Sequence, residues 1–224
     1  MKLFLPKYPW PLRALYPERI SRVTDSKAIY LTFDDGPIPE ITTWVLDLLA
    51  KYDAKASFFC IGDNVKKNPE TFKRIQAEGH CIGNHTFNHL NGWQTSTSEY
   101  VENVRSAEEI MTNSGVDLTQ NSKPKTPYYK LFRPPYGKIK NSQARKLKQL
   151  GYKIVMWDVI SGDYDQDLSA ENCFQNVLKN AIPGSTIVLH DSQKAFPHLK
   201  EILPRILQYY KEKSFEFRNL KDVL

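Results

Sequence analysis

The run Ala28-Ile29-Tyr30-Leu31-Thr32-Phe33, closed by Asp34-Asp35-Gly36-Pro37, is the stretch from which the fold is read. A short, almost wholly apolar segment that ends in turn-forming Asp-Gly and Gly-Pro pairs describes a buried strand. Just beyond it, Trp44, Val45, Leu48 and Leu49 fall at helical spacing and predict an amphipathic helix. Strand followed by helix is the unit on which the rest of the chain is built.

The unit recurs downstream. Ala56 to Ile61 reads as a strand and Pro69 to Glu78 as a helix closed by Gly79; Cys81-Ile82-Gly83 is a short strand, and Ser98 to Met111 a helix closed near Gly115. Further strands are expected at Leu131-Phe132, Lys153 to Trp157 and Ser185 to Leu189, the last followed by a long helix with Leu199, Ile202, Leu203, Ile206 and Leu207 on one face. Alternation at this spacing predicts an α/β fold with a mainly parallel sheet, and periodicity leaves open whether it closes as a barrel. A proline-containing lead, residues 1–27, precedes a single domain, 28–224, and the polar, proline-containing stretch Asn113 to Tyr128 reads as a surface loop.

Bulk properties set bounds. A chain of 224 residues with 41% hydrophobic and 25% charged content is long enough for one sizeable core. The net charge of +6 favours acidic partners, but cations and acids are interspersed, with neither a block of like charge nor a nucleic-acid-binding signature. Cys60, Cys81 and Cys173 lie far apart without a C-x-x-C pair, so reduced buried thiols are expected. Lys2 and three apolar residues begin like an export signal, but Pro6, Lys7, Pro9, Pro11 and Arg13 break the apolar run; no transmembrane segment is read, and a cytoplasmic location is the expectation.

The chemically unusual residues gather at strand ends. Asp34 and Asp35 end the first strand, His85 and His89 follow the third, Arg133 the fourth and Asp163 the fifth, while His190-Asp191 ends the sixth. In parallel α/β architectures this rim builds the active site. Adjacent carboxylates leaving a buried strand call for a cation, although Asp-Gly-Pro also suits a plain surface turn. His85 and His89, four residues apart, fall on one face if the segment is a helical turn. With one carboxylate they complete a two-histidine, one-acid set, the ligand count of an open catalytic zinc site. Arg133-Pro134-Pro135-Tyr136-Gly137 is either a stiff extended segment or a rigid mount that holds Arg133 against a carboxylate and offers a backbone N–H, that of Tyr136, to an oxyanion. His190 is either an edge histidine satisfied by Asp191 or, held near Asp163, a protonated donor to a leaving amine.

In T-F-D-D-G-P, H-T-x-x-H, R-P-P-Y-G and the late L-H-D, together with the Asp163 segment, the chain resembles the polysaccharide deacetylases, the carbohydrate esterase family that shares the NodB homology domain. The likeness runs from about Ala28 to about Asn219. It implies a distorted (β/α) barrel of about seven parallel strands, a divalent metal, usually zinc, and an N-acetylated carbohydrate as substrate. By the same resemblance Asp35, His85 and His89 take the metal-ligand positions, Asp34 that of the general base and His190 that of the general acid. Arg133 matches the arginine that orients the base, Asp163 the acid that tunes the histidine, and Tyr136 the source of the oxyanion N–H.

Two departures touch the acyl pocket. Where the family often has D-x-x-D-W, this chain reads Ile160-Ser161-Gly162-Asp163-Tyr164, and Val188 stands where leucine is usual. Both walls keep their character, one aromatic and one aliphatic, but change in size, which leaves acyl group and sugar open. An O-acetyl ester or imide hydrolase on the same machinery, or a catalytically silent carbohydrate-binding protein, are the alternative readings.

Overall fold

The computed structural model describes residues 5–24, 27–114 and 130–223; Gly115 and most of the loop expected over Asn113 to Tyr128 lie outside them. In order along the chain come α1 (Trp10–Leu15), β1 (Ala28–Asp34), α2 (Pro39–Lys51), β2 (Ser57–Cys60), α3 (Gly62–Lys67), α4 (Pro69–Ala77), β3 (Cys81–Asn84) and α5 (Thr97–Ser114). There follow β4 (Leu131–Phe132), α6 (Asn141–Gln149), β5 (Lys153–Ile154), β6 (Val159–Ile160), α7 (Ala170–Asn180), β7 (Thr186–His190), α8 (Phe196–Glu212) and β8 (Glu216–Phe217).

The strands lie in the order β5-β4-β3-β2-β1-β7-β6, with β8 paired to the start of β1, and every pairing is parallel. The fold is the expected distorted barrel. All seven residues of β1 are buried, which is the signature of a strand covered on both faces. Outside it, Ile29, Leu31 and Phe33 pack with the apolar faces of α2 and α8; inside, Ala28 and Tyr30 pack with Phe59, Cys81, Leu131 and Val155. A third cluster joins Tyr100 and Val104 of α5 to Ala144 and Leu147 of α6. Cys60, Cys81 and Cys173 are buried and form no disulfide, as expected.

Three local expectations need correction. Lys153 to Trp157 is not one strand: strand structure stops at Ile154, and Val159–Ile160 forms a separate strand at the opposite edge of the sheet. The cause is competition from the N-terminal lead. Ile20 donates to the Ile154 carbonyl at 2.9 Å and accepts from Met156 N–H at 2.6 Å, while the Ile160 N–H bonds Pro6 O at 2.8 Å, so the lead pairs with the backbone between the two edges. Asp163 therefore follows the sixth strand of the sequence, and His190 ends the seventh.

Second, His85 and His89 do not sit on a helical turn. Thr86 (φ 64°) and His89 (φ 55°) have left-handed backbone, which no α-helix accommodates. Third, α1, α3 and β8 have no counterpart in the sequence reading; each is too short to display a period.

Candidate active site

The rim at the C-terminal ends of the strands is assembled by register. Asp34 of β1 lies opposite His190 of β7, and one position of β3, Asn84, opposite Phe132 of β4, which brings His85 and Arg133 onto adjacent turns. Because side chains alternate along a strand, Thr32 and Asp34 share the face that looks into the barrel. Arg133 meets both there, with Nη1 2.7 Å from Thr32 Oγ1 and 2.7 Å from Asp34 Oδ1. Its Nη2 donates to Met156 O at 2.8 Å, and the guanidinium lies 4.1 Å over the Phe59 ring. Arg133 is 1% exposed and Asp34 4%, so the carboxylate is aimed by a buried, charge-assisted bond.

Asp35 begins the next group. Its backbone is left-handed (φ 83°), uncommon for a non-glycine residue, and is shared by His89 and Tyr136 (φ 58°), so strained positions collect at the site. The turn is locked from beneath: Gly36 N–H donates to Asp191 Oδ1 at 3.0 Å, and Thr42 Oγ1 to Asp191 Oδ2 at 2.6 Å. A Cβ at position 36 would stand 2.0 Å from that Asp191 oxygen, which is why glycine occupies it. Asp191 thus anchors the Asp35 turn and is not the partner of His190. Only its distant neighbours reveal this, since L-H-D by itself suggests adjacency.

Asp35 Oδ1 lies 3.7 Å from His85 Nε2 and 3.3 Å from His89 Nε2, and it is buried without a hydrogen-bond partner. One ligand atom from each of the three residues lies within 4.8 Å of the other two. Atoms each about 2.1 Å from a common tetrahedral centre stand about 3.4 Å apart, so this set fits a divalent ion such as zinc. The tautomers agree. His85 Nδ1 is 2.8 Å from Arg133 O, a group that only accepts, so Nδ1 carries the proton and Nε2 keeps its lone pair for the ion. Burial pushes the His85 imidazole down to about 4, keeping it neutral at physiological pH. Burial raises the Asp35 carboxyl, but the neighbouring His89, His190 and His85 rings outweigh it and hold it well below the usual range. His89 Nδ1 meets the Tyr136 hydroxyl at 3.1 Å, a side-chain role that the sequence did not disclose.

Across the pocket, His190 Nδ1 is 2.8 Å from Asp163 Oδ1, and the other Asp163 oxygen accepts the His190 backbone N–H at 2.8 Å. Burial works against the imidazolium, but Asp163, with help from Asp35 and Asp34, overcomes it and lifts His190 to about 9. The Tyr164 ring packs edge-on to His190, centroids 5.0 Å apart.

All of this opens into one cavity of about 630 Å³, lined by Asp34, Asp35, His85, His89, Tyr136, Tyr164, Val188 and His190 among others. Every site residue expected from the sequence except Asp163 lines it, and Asp163 stands directly behind His190. Leu5, Lys138, Trp157 and Lys194 also line it and were missed. Neither a motif nor a period marks them; they arrive on the lead and on connecting loops.

The model of the polysaccharide deacetylase family matches residues 21–155. A peptidoglycan-N-acetylglucosamine deacetylase of Bacillus cereus is 36% identical over 198 residues, covering 87% of this chain and 67% of that protein. A chitooligosaccharide deacetylase of Azorhizobium caulinodans is 34% identical over 173 residues, covering 76% of this chain and 77% of that protein. Among solved structures, the Bc1960 peptidoglycan N-acetylglucosamine deacetylase, crystallised with a naphthalenyl N-hydroxybenzamide, superposes with a TM-score of 0.83 at 33% identity over 96% of both chains.

Proposed function

The chain belongs to the polysaccharide deacetylase family, and from that membership together with the site geometry we propose that it hydrolyses the acetamide of an N-acetylated glycan of the N-acetylglucosamine class, yielding acetate and a free amine. The observation that carries the reading is the placement of a carboxylate and a proton-holding imidazole, Asp34 and His190, at register-paired positions in the cavity that also holds the Asp35, His85 and His89 set.

Asp35, His85 and His89 would hold a divalent ion, for which zinc is our assignment from the nitrogen-rich donor set. When bound, such an ion supplies a Lewis acid that polarises a carbonyl and acidifies water. The remaining steps belong to side chains of this protein. Asp34, aimed by Arg133, takes a proton from the attacking water, while the Tyr136 N–H donates to the oxygen on which negative charge develops. His190, kept protonated by Asp163, then gives its proton to the departing nitrogen as the C–N bond breaks. Tyr164 and Val188 wall the space assigned to the acetyl methyl.

The test is release of acetate from N-acetylated chito-oligosaccharides by the zinc-loaded protein, with O-acetylated xylan and simple imides in parallel. Turnover confined to the esters or imides would move the assignment to another bond, and binding of the oligosaccharide without turnover of any substrate would make the chain a carbohydrate-binding protein.

A further inference from the structure

Helix α1 is built inside out. It carries Trp10, Leu12 and Leu15, yet none of its residues is buried. Trp10 is 77% exposed, Leu15 66% and Leu5, just before the helix, 52%. One aromatic ring and a set of polar contacts hold this segment to the barrel: the buried Tyr8 packs edge-on to Trp157, Lys7 Nζ and Arg13 Nη2 reach the buried Asp158 carboxylate at 3.0 and 2.7 Å, and Tyr8 N–H bonds Asp158 O at 3.0 Å. With Tyr8, the ion pairs and the backbone bonds supplying the anchor, Trp10 and Leu15 stay turned outward and present an apolar surface.

Beside this surface stands a row of cations. Arg145, Lys146 and Lys148 project from α6 into solvent, and none has a carboxylate within ion-pair distance among the described residues. Arg145 and Lys148 share a cleft with Tyr16, Glu18 and Arg19, and Tyr16 and Arg19 also line the groove that holds Leu5 and Leu12, so the apolar and basic surfaces meet there. Exposed tryptophan and leucine bordered by lysine and arginine are the chemistry of a surface that lies in the interface of an anionic bilayer. Among the described residues no helix is long and apolar enough to cross a membrane.

We propose that the lead helix and the basic face of α6 together dock on an anionic phospholipid surface. Leu5 lines the catalytic cavity as well as the neighbouring groove with Leu12 and Trp93, so docking sets the mouth of the cavity at the edge of the lipid surface. This assignment does not depend on which bond the catalytic site cleaves.

Vesicle co-sedimentation of the full chain tests it, with phosphatidylcholine alone and with added phosphatidylglycerol. Binding is expected only to the anionic vesicles, released by high salt, and reduced about tenfold both by Trp10→Ala with Leu15→Ala and by Arg145→Gln with Lys148→Gln. Melting temperature and acetate release from a soluble substrate should stay at wild-type levels in both double variants. Absence of binding to anionic vesicles overturns the proposal, as does binding that the well-folded variants leave unchanged. Concentration-dependent self-association abolished by Trp10→Ala with Leu15→Ala, without vesicle binding, assigns the surface to a second copy of the chain and overturns it equally.

Discussion

His190 and the buried Asp163 form an ion pair in which one carboxylate grips the histidine twice, through its ring and through its backbone N–H, each at 2.8 Å. The double grip fixes both the position and the protonation of the imidazole.

From that pair follows a pH dependence. With His190 raised from 6.5 to about 9, the proton-donating form dominates at neutral pH, and turnover is expected to fall as pH rises through about 9. The same shift stabilises the fold fully below pH 6.5, and that contribution is lost as pH climbs through about 9. In Asp163→Asn the main force opposing burial is gone, so the alkaline limb of the kcat profile moves to lower pH. A limb that stays in place would show that another group controls it.

Asp34→Asn should leave the metal content of the purified protein near wild type while cutting kcat about a hundredfold or more, because proton abstraction is lost and the three ligand atoms are untouched. Metal analysis beside steady-state kinetics separates these effects. Metal lost from Asp34→Asn but retained in Asp35→Asn would exchange the two roles.

Arg133→Met is expected to lower stability by about 3–5 kcal/mol, the cost of leaving a buried carboxylate without its counter-ion. Denaturant unfolding measures it. A loss below about 1 kcal/mol would mean that Asp34 is compensated by other groups.

Asp35→Ala and His85→Ala should each abolish stoichiometric zinc binding, read by calorimetry on protein stripped with a chelator, whereas Tyr136→Phe should only weaken it, since its hydroxyl orients His89 from behind. Tyr136→Phe binding as tightly as wild type would remove the hydroxyl from the account.

The acyl pocket offers a graded prediction. Tyr164→Trp enlarges one wall and should shift kcat/KM among N-acetyl, N-propionyl and N-glycolyl forms of one sugar by about 1–3 kcal/mol in favour of acetyl. Unchanged ratios would take Tyr164 out of the acyl pocket.

The alternation of strand and helix was legible in the sequence because hydrophobic period is a local property: Ala28 to Phe33 can be covered on both faces in few ways, and the polar residues that interrupt such strands fall at their ends. That is why the rim, with Asp34, Asp35, His85, His89, Arg133, Asp163 and His190, is legible from the sequence alone. What the tertiary structure alone decided was partnership. Arg133 finds Thr32 across 101 positions, Asp191 turns to Gly36 and Thr42 although His190 is its neighbour in sequence, and His89 reaches the metal set through left-handed backbone where its spacing suggested a helix. The division of residues 153–160 into two edge strands, and the lead that pairs between them, likewise have no local signature. Two-residue strands show no period, and a lead that docks by the Tyr8 ring, backbone bonds and a buried aspartate is chosen by the unpaired edges it meets, which exist only once the rest of the barrel has formed.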